Sequence, residues 1–300
     1  MTLPNFFILG AARSGTTSLY HYLRQHPEIY MSPLKEPNFY YLEGQADKVK
    51  GHGTSGWLRT CVTTRKEYLG LFKGVTTEKA IGEASVSYLS RVEAPPAIFR
   101  DVPKARLFAS LRHPVERAFA AYMGMRLTGR EQAKTFREAL DLEDSRIKGN
   151  WSFGGYRTNG LYFEQLSRYM ALFDRAQIHV HLFDDFKTDP TAVVMNMLET
   201  LDVDTSVVPD TSIRHNPTGT IRNPLAHLVW TRSRPIRVGL RKHLPPALRD
   251  WAFPFFTRSG LDKPPIPDDI RAELGEFYRP DIEKLQDLLD RDLSHWLDLC

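Results

Sequence analysis

The chain of 300 residues has a formal net charge of +4, with 25% charged and 42% hydrophobic residues, a balance that fits a folded globular protein able to bury one large core. Its two cysteines, Cys61 and Cys300, exclude a disulfide framework, and no group of Cys and His has zinc spacing. No stretch reaches the roughly 20 apolar residues that cross a bilayer, and the first apolar run has no basic region before it and is cut short by Arg13, so the expectation is a soluble, unprocessed, cytoplasmic protein in a reducing compartment.

The first apolar run, Phe6-Phe7-Ile8-Leu9, ends at Gly10. After Gly15 the spacing turns helical and places Leu19, Tyr22 and Leu23 on one face, so the segment reads as strand, tight loop and helix. The loop from Gly10 to Gly15 has the outline of a phosphate cradle. Its glycines let backbone amides point inward, the helix start adds a positive dipole end, and Thr16, Thr17 and Ser18 add hydroxyl donors. The P-loop of nucleoside triphosphatases spaces its glycines similarly but needs a lysine directly after the second one. Thr16 stands at that position and the cation has moved into the loop as Arg13. Such a site suits a single 5′-phosphate carrying a small anionic group better than a magnesium-bound triphosphate, which weighs against the alternative of a P-loop-type kinase.

This arrangement resembles the 5′-phosphosulfate-binding loop of the sulfotransferases that use 3′-phosphoadenosine 5′-phosphosulfate (PAPS), in particular the heparan sulfate N- and 3-O-sulfotransferase and bacterial branch. The resemblance implies an α/β fold of three α/β/α layers with a central parallel sheet, in a single domain over residues 1–300. It also implies cofactor contacts from Arg13, Ser14, Gly15, Thr16, Thr17 and Ser18, and no metal.

After the first helix, Glu28 to Met31 reads as a short extended segment leading into a turn, where Pro33 and Pro37 flank Lys35-Glu36 and the aromatic run Phe39-Tyr40-Tyr41 follows. A bare Lys-Glu dipeptide reads as a surface ion pair. The resemblance instead implies that Glu36 is the base that deprotonates the acceptor, with Lys35 holding the sulfonyl group or the acceptor. Residues 44–56 read as a loop, and Trp57 to Phe72 as a wall of the acceptor site. Lys79 to Tyr88 is a strand emerging into a loop, and its Glu83 is a second candidate carboxylate. Family members often carry Glu-Lys at this point. Ala84 removes that cation, leaving Lys35 or Arg13 to supply the charge.

Lys104 to Tyr122 reads as a strand ending at Leu111, a turn marked by Pro114 and a helix from Val115. It resembles the family's 3′-phosphate-binding motif, which implies that Arg112 grips the 3′-phosphate through its planar fork. Ala120 stands where the family has serine, which removes one hydroxyl donor. Arg117 has an alternative reading as a surface partner of Glu116 or Asp101.

An amphipathic surface helix is expected over Thr135 to Asp144, a loop over Gly149 to Gly155, and a helix from about Asn159 through Phe173 that carries Tyr162, counted with the cofactor-binding residues. A strand over Ile178 to Phe183 and a helix over Thr191 to Leu201 follow. His179 and His181 share one face of that strand and, with no third ligand near in sequence, read as structural. The segment Ile213 to Arg222 resembles the family's nucleotide-covering loop, with Arg222 as a second 3′-phosphate ligand and Gly219 admitting the backbone. From 222 to about 262 runs a basic, aromatic, proline-broken insertion. Between Arg222 and Arg258 the basic residues Arg222, Arg232, Arg234, Arg237, Arg241, Lys242, Arg249 and Arg258 stand against a single acid, Asp250. A final helix is expected from about Asp268 to Trp296.

The activity so implied is sulfonyl transfer from PAPS to a hydroxyl or amine of a glycan, glycolipid or small-molecule alcohol, by in-line attack with a carboxylate base and release of 3′-phosphoadenosine 5′-phosphate (PAP). Ala84 and Ala120 leave open a catalytically impaired nucleotide-binding protein of the same fold. The insertion reads either as plain helical cover or as a cap that recruits an anionic or lipid-linked acceptor or an anionic membrane surface. Its prolines and the lack of a binding motif weigh against nucleic acid.

Overall fold

A computed structural model describes residues 2–213, 220–221, 261–262 and 264–298. Five strands, β1 (Phe6–Gly10), β2 (Ile29–Met31), β3 (Ala80–Ala84), β4 (Arg106–Leu111) and β5 (Ile178–Leu182), form one sheet in the order β2-β3-β1-β4-β5. Every pairing is parallel, with Phe6 opposite both Gly82 and Arg106, Ile29 opposite Ala80, and Leu107 opposite Ile178. The strand order runs outward in both directions from β1, so a crevice opens at the carboxyl ends beside it, where open parallel sheets bind ligands.

Twelve described helices surround the sheet: α1 (Thr16–Leu23), α2 (Phe39–Leu42), α3 (Thr54–Leu58), α4 (Arg65–Gly70), α5 (Ala94–Asp101), α6 (Pro114–Leu127), α7 (Phe136–Asp141), α8 (Glu143–Lys148), α9 (Tyr162–Met170), α10 (Phe183–Thr188), α11 (Pro190–Thr200) and α12 (Asp268–Leu289). Alternation along β1 assigns its side chains to two layers. Phe6 and Ile8 pack with Leu19, Tyr22 and Leu23 of α1 and with Val194, Met197 and Leu198 of α11. Phe7 and Leu9 face the opposite layer, which includes Phe119 of α6, Leu166 of α9 and Leu274 and Tyr278 of α12. The two clusters make the three-layer α/β/α arrangement. Gly82 is needed for close packing, because a Cβ there would stand 2.2 Å from Cζ of Phe6.

Three elements differ from the sequence reading. The helix expected over Thr135 to Asp144 breaks at Leu142 into α7 and α8, because the carboxylate of Glu143 turns inward to accept from the amides of Arg157 (2.8 Å) and Thr158 (2.9 Å). Phe183 opens α10 instead of ending a strand, with Asp184 and Asp185 in the first turn, where acids favour a helix start. The C-terminal helix stops at Leu289 rather than running to Trp296. Asp290 turns left-handed (φ 50°), the amide of Arg291 donates to the carbonyl of Gln286, and a separate 3-10 turn spans Ser294–Trp296.

β6 (Thr220–Ile221) and β7 (Leu261–Asp262) pair antiparallel, and β6 lies against α6. Nearly all of the basic insertion lies outside the described residues, as do Gly219, Arg222 and Cys300.

Candidate active site

The carboxyl ends of β1 to β4 each lead directly into a candidate site segment: the Gly10–Gly15 loop, the Lys35-Glu36 turn, the Ser85 loop and Arg112. β4 pins the first of these. The amide of Ala11 donates to the carbonyl of Ser110 (2.8 Å), and the Ser110 hydroxyl donates to the carbonyl of Ser14 (2.6 Å). Arg13 and Gly15 adopt left-handed backbone (φ 72° and 82°), which turns the loop sharply into α1. Gly15 is the N-cap of α1 and no side chain caps this helix start, so the first-turn amides of Thr16, Thr17 and Ser18 and the helix dipole are available to an anion.

The guanidinium of Arg13 lies against Gly124 of α6, where a Cβ would come within 3.2 Å of its Cζ. Burial lowers the Arg13 pKa to about 10, the charge of Arg112 adds to the fall, and the carboxylate of Glu36 opposes it. Arg13 remains charged at neutral pH. Its field therefore acts on the same small region as those of Arg112 and Glu36.

Arg112 is buried at the end of β4. One guanidinium nitrogen donates to the carbonyl of Arg13 (3.3 Å), the other to Glu116 (3.1 Å), and its face covers the ring of Phe183 at 5.1 Å. Burial lowers its pKa, with Glu116 opposing. Glu116 is itself shared with Arg271 of α12 (3.4 Å), a cation that the sequence reading missed because it lies 155 positions away along the chain. Tyr162 is fully buried, and its hydroxyl donates to the carbonyl of Arg112 (2.9 Å), so it stands behind the arginine and positions it. Ala120 is buried in α6. Arg117 departs from the surface reading: it is 1% exposed and donates to the carbonyl of Tyr156, while Asp101 pairs with Arg65 and Arg100.

Glu36 is the accessible carboxylate of the site, with 38% of its side chain exposed against 16% for Lys35, which donates to it at 2.8 Å. The turn that presents it is held by many bonds. The Glu36 amide donates to the carbonyl of Ala84 (2.8 Å), and the Asn38 side-chain amide donates to the carbonyl of Glu36 (2.7 Å). Glu36 and Asn38 are both left-handed (φ 63° and 56°) on either side of Pro37. Glu83 is 0% exposed and accepts from the hydroxyls of Ser85 (2.6 Å), Tyr68 (3.0 Å) and Tyr88 (3.0 Å). Burial pushes its pKa up to about 7, against the pull of those three donors. The fold thus brings Arg13, Lys35, Glu36 and Arg112 to one crevice and sets Glu83 beneath it.

The cradle fits a nucleotide carrying anionic groups at both ends of its ribose. It offers an uncapped helix start, a buried Ser14 hydroxyl with no hydrogen-bond partner among the described residues, and two arginines held side by side. Among the described residues no group of three or more His, Cys, Asp or Glu side chains could hold a metal ion. His179 and His181 lie against the Phe108 ring at 5.2 and 6.3 Å.

A phosphate-type loop with a carboxylate acting on its arginine, and a second arginine at the adjacent strand end, have the make-up of a nucleotide-dependent group-transfer site on a parallel sheet. The chain matches the sulfotransferase family over residues 4–206 and belongs to that family. It is similar to the membrane-associated sulfotransferase kil1 of Dictyostelium discoideum, at 22% identity over 98% of this chain and 67% of that protein. It is also similar to the bifunctional heparan sulfate N-deacetylase/N-sulfotransferase 4 of Mus musculus, at 25% identity over 64% of this chain, and there the alignment spans 21% of the relative's length. The crystal structure of a sulfotransferase from Alicyclobacillus acidocaldarius superimposes with a TM-score of 0.76 at 34% identity, covering 99% of both chains.

Proposed function

We propose that the protein transfers the sulfonyl group of PAPS to a hydroxyl or amine, with Glu36 as the base. The observation that carries this reading is the placement of Glu36 and Arg13 at the ends of β2 and β1, near enough that the carboxylate acts on the guanidinium. PAPS supplies the sulfonyl group when bound. Glu36 would take the proton of the acceptor as the acceptor atom bonds to sulfur and the sulfur–oxygen bond to the 5′-phosphate breaks, releasing PAP, and Lys35, 2.8 Å from that carboxylate, would supply the cation absent at Ala84. Arg13 and the amides at the start of α1 hold the charge that grows at the 5′-phosphate, a fixed electrostatic arrangement of the kind that dominates such catalysis. Arg112, positioned by Tyr162, takes the 3′-phosphate. Gly219 and Arg222 remain proposed cofactor contacts, and β6 between them runs beside the helix that carries Ala120.

Away from these residues, a cavity of about 410 Å³ is lined by Arg130, Gln132, Ser145 and Trp151 among others. Arg130, which lines it, also lies over the Phe153 ring at 4.8 Å. The proposed acceptor is a glycan, a glycolipid or a small-molecule alcohol. The proposed role of the basic insertion is to bring such an acceptor, or an anionic membrane surface, to the site. No helix among the described residues is long and apolar enough to cross a membrane. The cytoplasm is the proposed location. Incubating the protein with sulfur-labelled PAPS and fractionated cell extract, then identifying the labelled product, tests the reaction and names the acceptor together.

A further inference from the structure

Two of the hydroxyls that touch Glu83 also touch the turn that carries Glu36. Ser85 donates to one carboxylate oxygen of Glu83 (2.6 Å) and its own oxygen accepts from the Asn38 amide (3.0 Å). Tyr88 donates to the other carboxylate oxygen (3.0 Å) and accepts from the Tyr40 amide (3.2 Å). A hydroxyl has a single proton to give, and an ionised carboxylate only accepts. Glu83 therefore takes both protons and leaves both oxygens turned, lone pairs outward, toward the backbone of residues 38–40. Asn38 passes the constraint on, since its side chain donates to the carbonyl of Glu36 (2.7 Å) and accepts from Ser87 (2.5 Å). The turn needs such holding, because Glu36 and Asn38 both carry left-handed backbone that side-chain-bearing residues seldom adopt.

We propose that Glu83 is a positioning residue for Glu36: by taking the protons of Ser85 and Tyr88 it fixes both as acceptors for the amides of Asn38 and Tyr40, and so holds the Glu36 carboxylate toward the crevice. The inference rests on the reading of Glu36 as the base. It also separates the two candidate carboxylates by role, since one is accessible to an acceptor and the other is buried, with two of its three hydroxyl partners holding the turn of the first. The direction of the hydroxyls depends on the charge of Glu83. Protonated, Glu83 becomes a donor itself, and one of its hydroxyl partners must turn around. The groups within its reach are Ser85 and Tyr88 of the following loop, Tyr68 of α4, Tyr40 of α2, Tyr169 of α9 and Glu36 itself. The tyrosines are all held above their ordinary range by burial, so Glu83, at about 7, is the member of the buried cluster that changes charge near neutral pH.

Hydrogen exchange read by mass spectrometry on the full chain tests this without any acceptor. At about pH 8 a peptide covering residues 36–42 should exchange at least roughly tenfold faster in Ser85→Ala and in Glu83→Gln than in the parent, while peptides from α1 and β4 stay unchanged. Lowering the pH to about 6, after correction for intrinsic rates, should loosen the same peptide in the parent and have no further effect in Glu83→Gln. Parent-like exchange in both variants, or a parent peptide indifferent to pH, overturns the proposal. If Glu83→Gln fails to fold, Ser85→Ala and the parent's pH response decide alone. PAP release from PAPS with water as the acceptor is measured on the same samples. Ser85→Ala should lower kcat roughly tenfold and leave KM for PAPS unchanged. Loosened exchange in the relay variants together with undiminished turnover in Glu36→Gln would retain the relay and reject Glu36 as the base.

Discussion

Arg112 donates to the backbone carbonyl of Arg13 at 3.3 Å, so the guanidinium at the end of β4 is tied to the loop at the end of β1. Burial lowers the proton affinity of Arg13 and the charge of Arg112 lowers it further, an arrangement whose cost is offset when anionic groups lie between or beside the two cations. Through this link the Arg112 side chain helps hold the loop that carries Arg13, so the two proposed phosphate contacts share one support.

Arg112→Ala should therefore weaken PAP binding by roughly one hundredfold or more, the scale of a lost charge-assisted bidentate contact of about 3 kcal/mol. Arg112→Lys should recover only part of that, because an ammonium lacks the planar fork. Calorimetry with PAP and with adenosine 5′-phosphosulfate, which lacks the 3′-phosphate, checks the assignment. The parent should prefer the 3′-phosphorylated form and Arg112→Ala should not. An unchanged preference would place the 3′-phosphate elsewhere.

Glu36→Gln should keep PAP affinity and lower turnover by roughly a hundredfold to ten-thousandfold, the size of a general-base contribution. Glu83→Gln should lower it less, because it loosens the turn and leaves the accessible carboxylate in place. Steady-state kinetics of both variants decide between them, and a larger loss in Glu83→Gln would move the base to that position.

Glu83 also sets a pH dependence of stability. Its pKa is about 7 in the folded chain against an ordinary 4.5, so between those values the folded chain binds more protons than the unfolded one. Its contribution is present in full below 4.5 and is lost as the pH rises through 7, about 3 kcal/mol in all. Urea unfolding of the parent and of Glu83→Gln at about pH 5 and about pH 8 should show the parent losing more stability with rising pH than the variant does. Parallel losses would mean that Glu83 does not titrate in this range.

Arg146 and Glu131 form a buried ion pair. Arg146 donates both terminal nitrogens to Glu131 (2.7 and 2.8 Å), which also accepts from Tyr156 (2.6 Å) and the Ala133 amide (2.7 Å). Arg146→Met should destabilise by about 3–5 kcal/mol, since it strands a buried carboxylate. Arg146→Met combined with Glu131→Leu should recover much of that, as measured by the midpoint of urea unfolding.

The sequence showed most clearly the parts of the site that are local. At Phe6 to Leu23 the periodicity changes from strand to helix across a glycine loop, and both halves of that pattern fall on the expected layers. Arg112 was visible because a strand ends there two residues before a helix-starting proline. What stayed hidden depends on contacts between distant segments. Ser85 and Asn38 lie 47 residues apart and meet only because β3 lies beside β2. Arg117 looked like a surface charge until the carbonyl of Tyr156 appeared beside it. Glu143, acidic and in a polar stretch, gave no sign that two backbone amides would draw it inside and break a helix. The left-handed Asn38 after Pro37 was a usable signal that was passed over, since Asn is the residue that tolerates such backbone.

The crevice that holds Arg13, Glu36 and Arg112 is proposed to move a sulfonyl group from PAPS. The most direct measurement is the transfer of label from sulfur-labelled PAPS to an acceptor in fractionated extract, run side by side with the parent, Glu36→Gln and Arg112→Ala. The parent should give a discrete labelled product, Glu36→Gln at least roughly a hundredfold less at full PAP affinity, and Arg112→Ala a loss that added PAPS partly restores. No labelled product from the parent, together with no measurable binding of PAP, would contradict it.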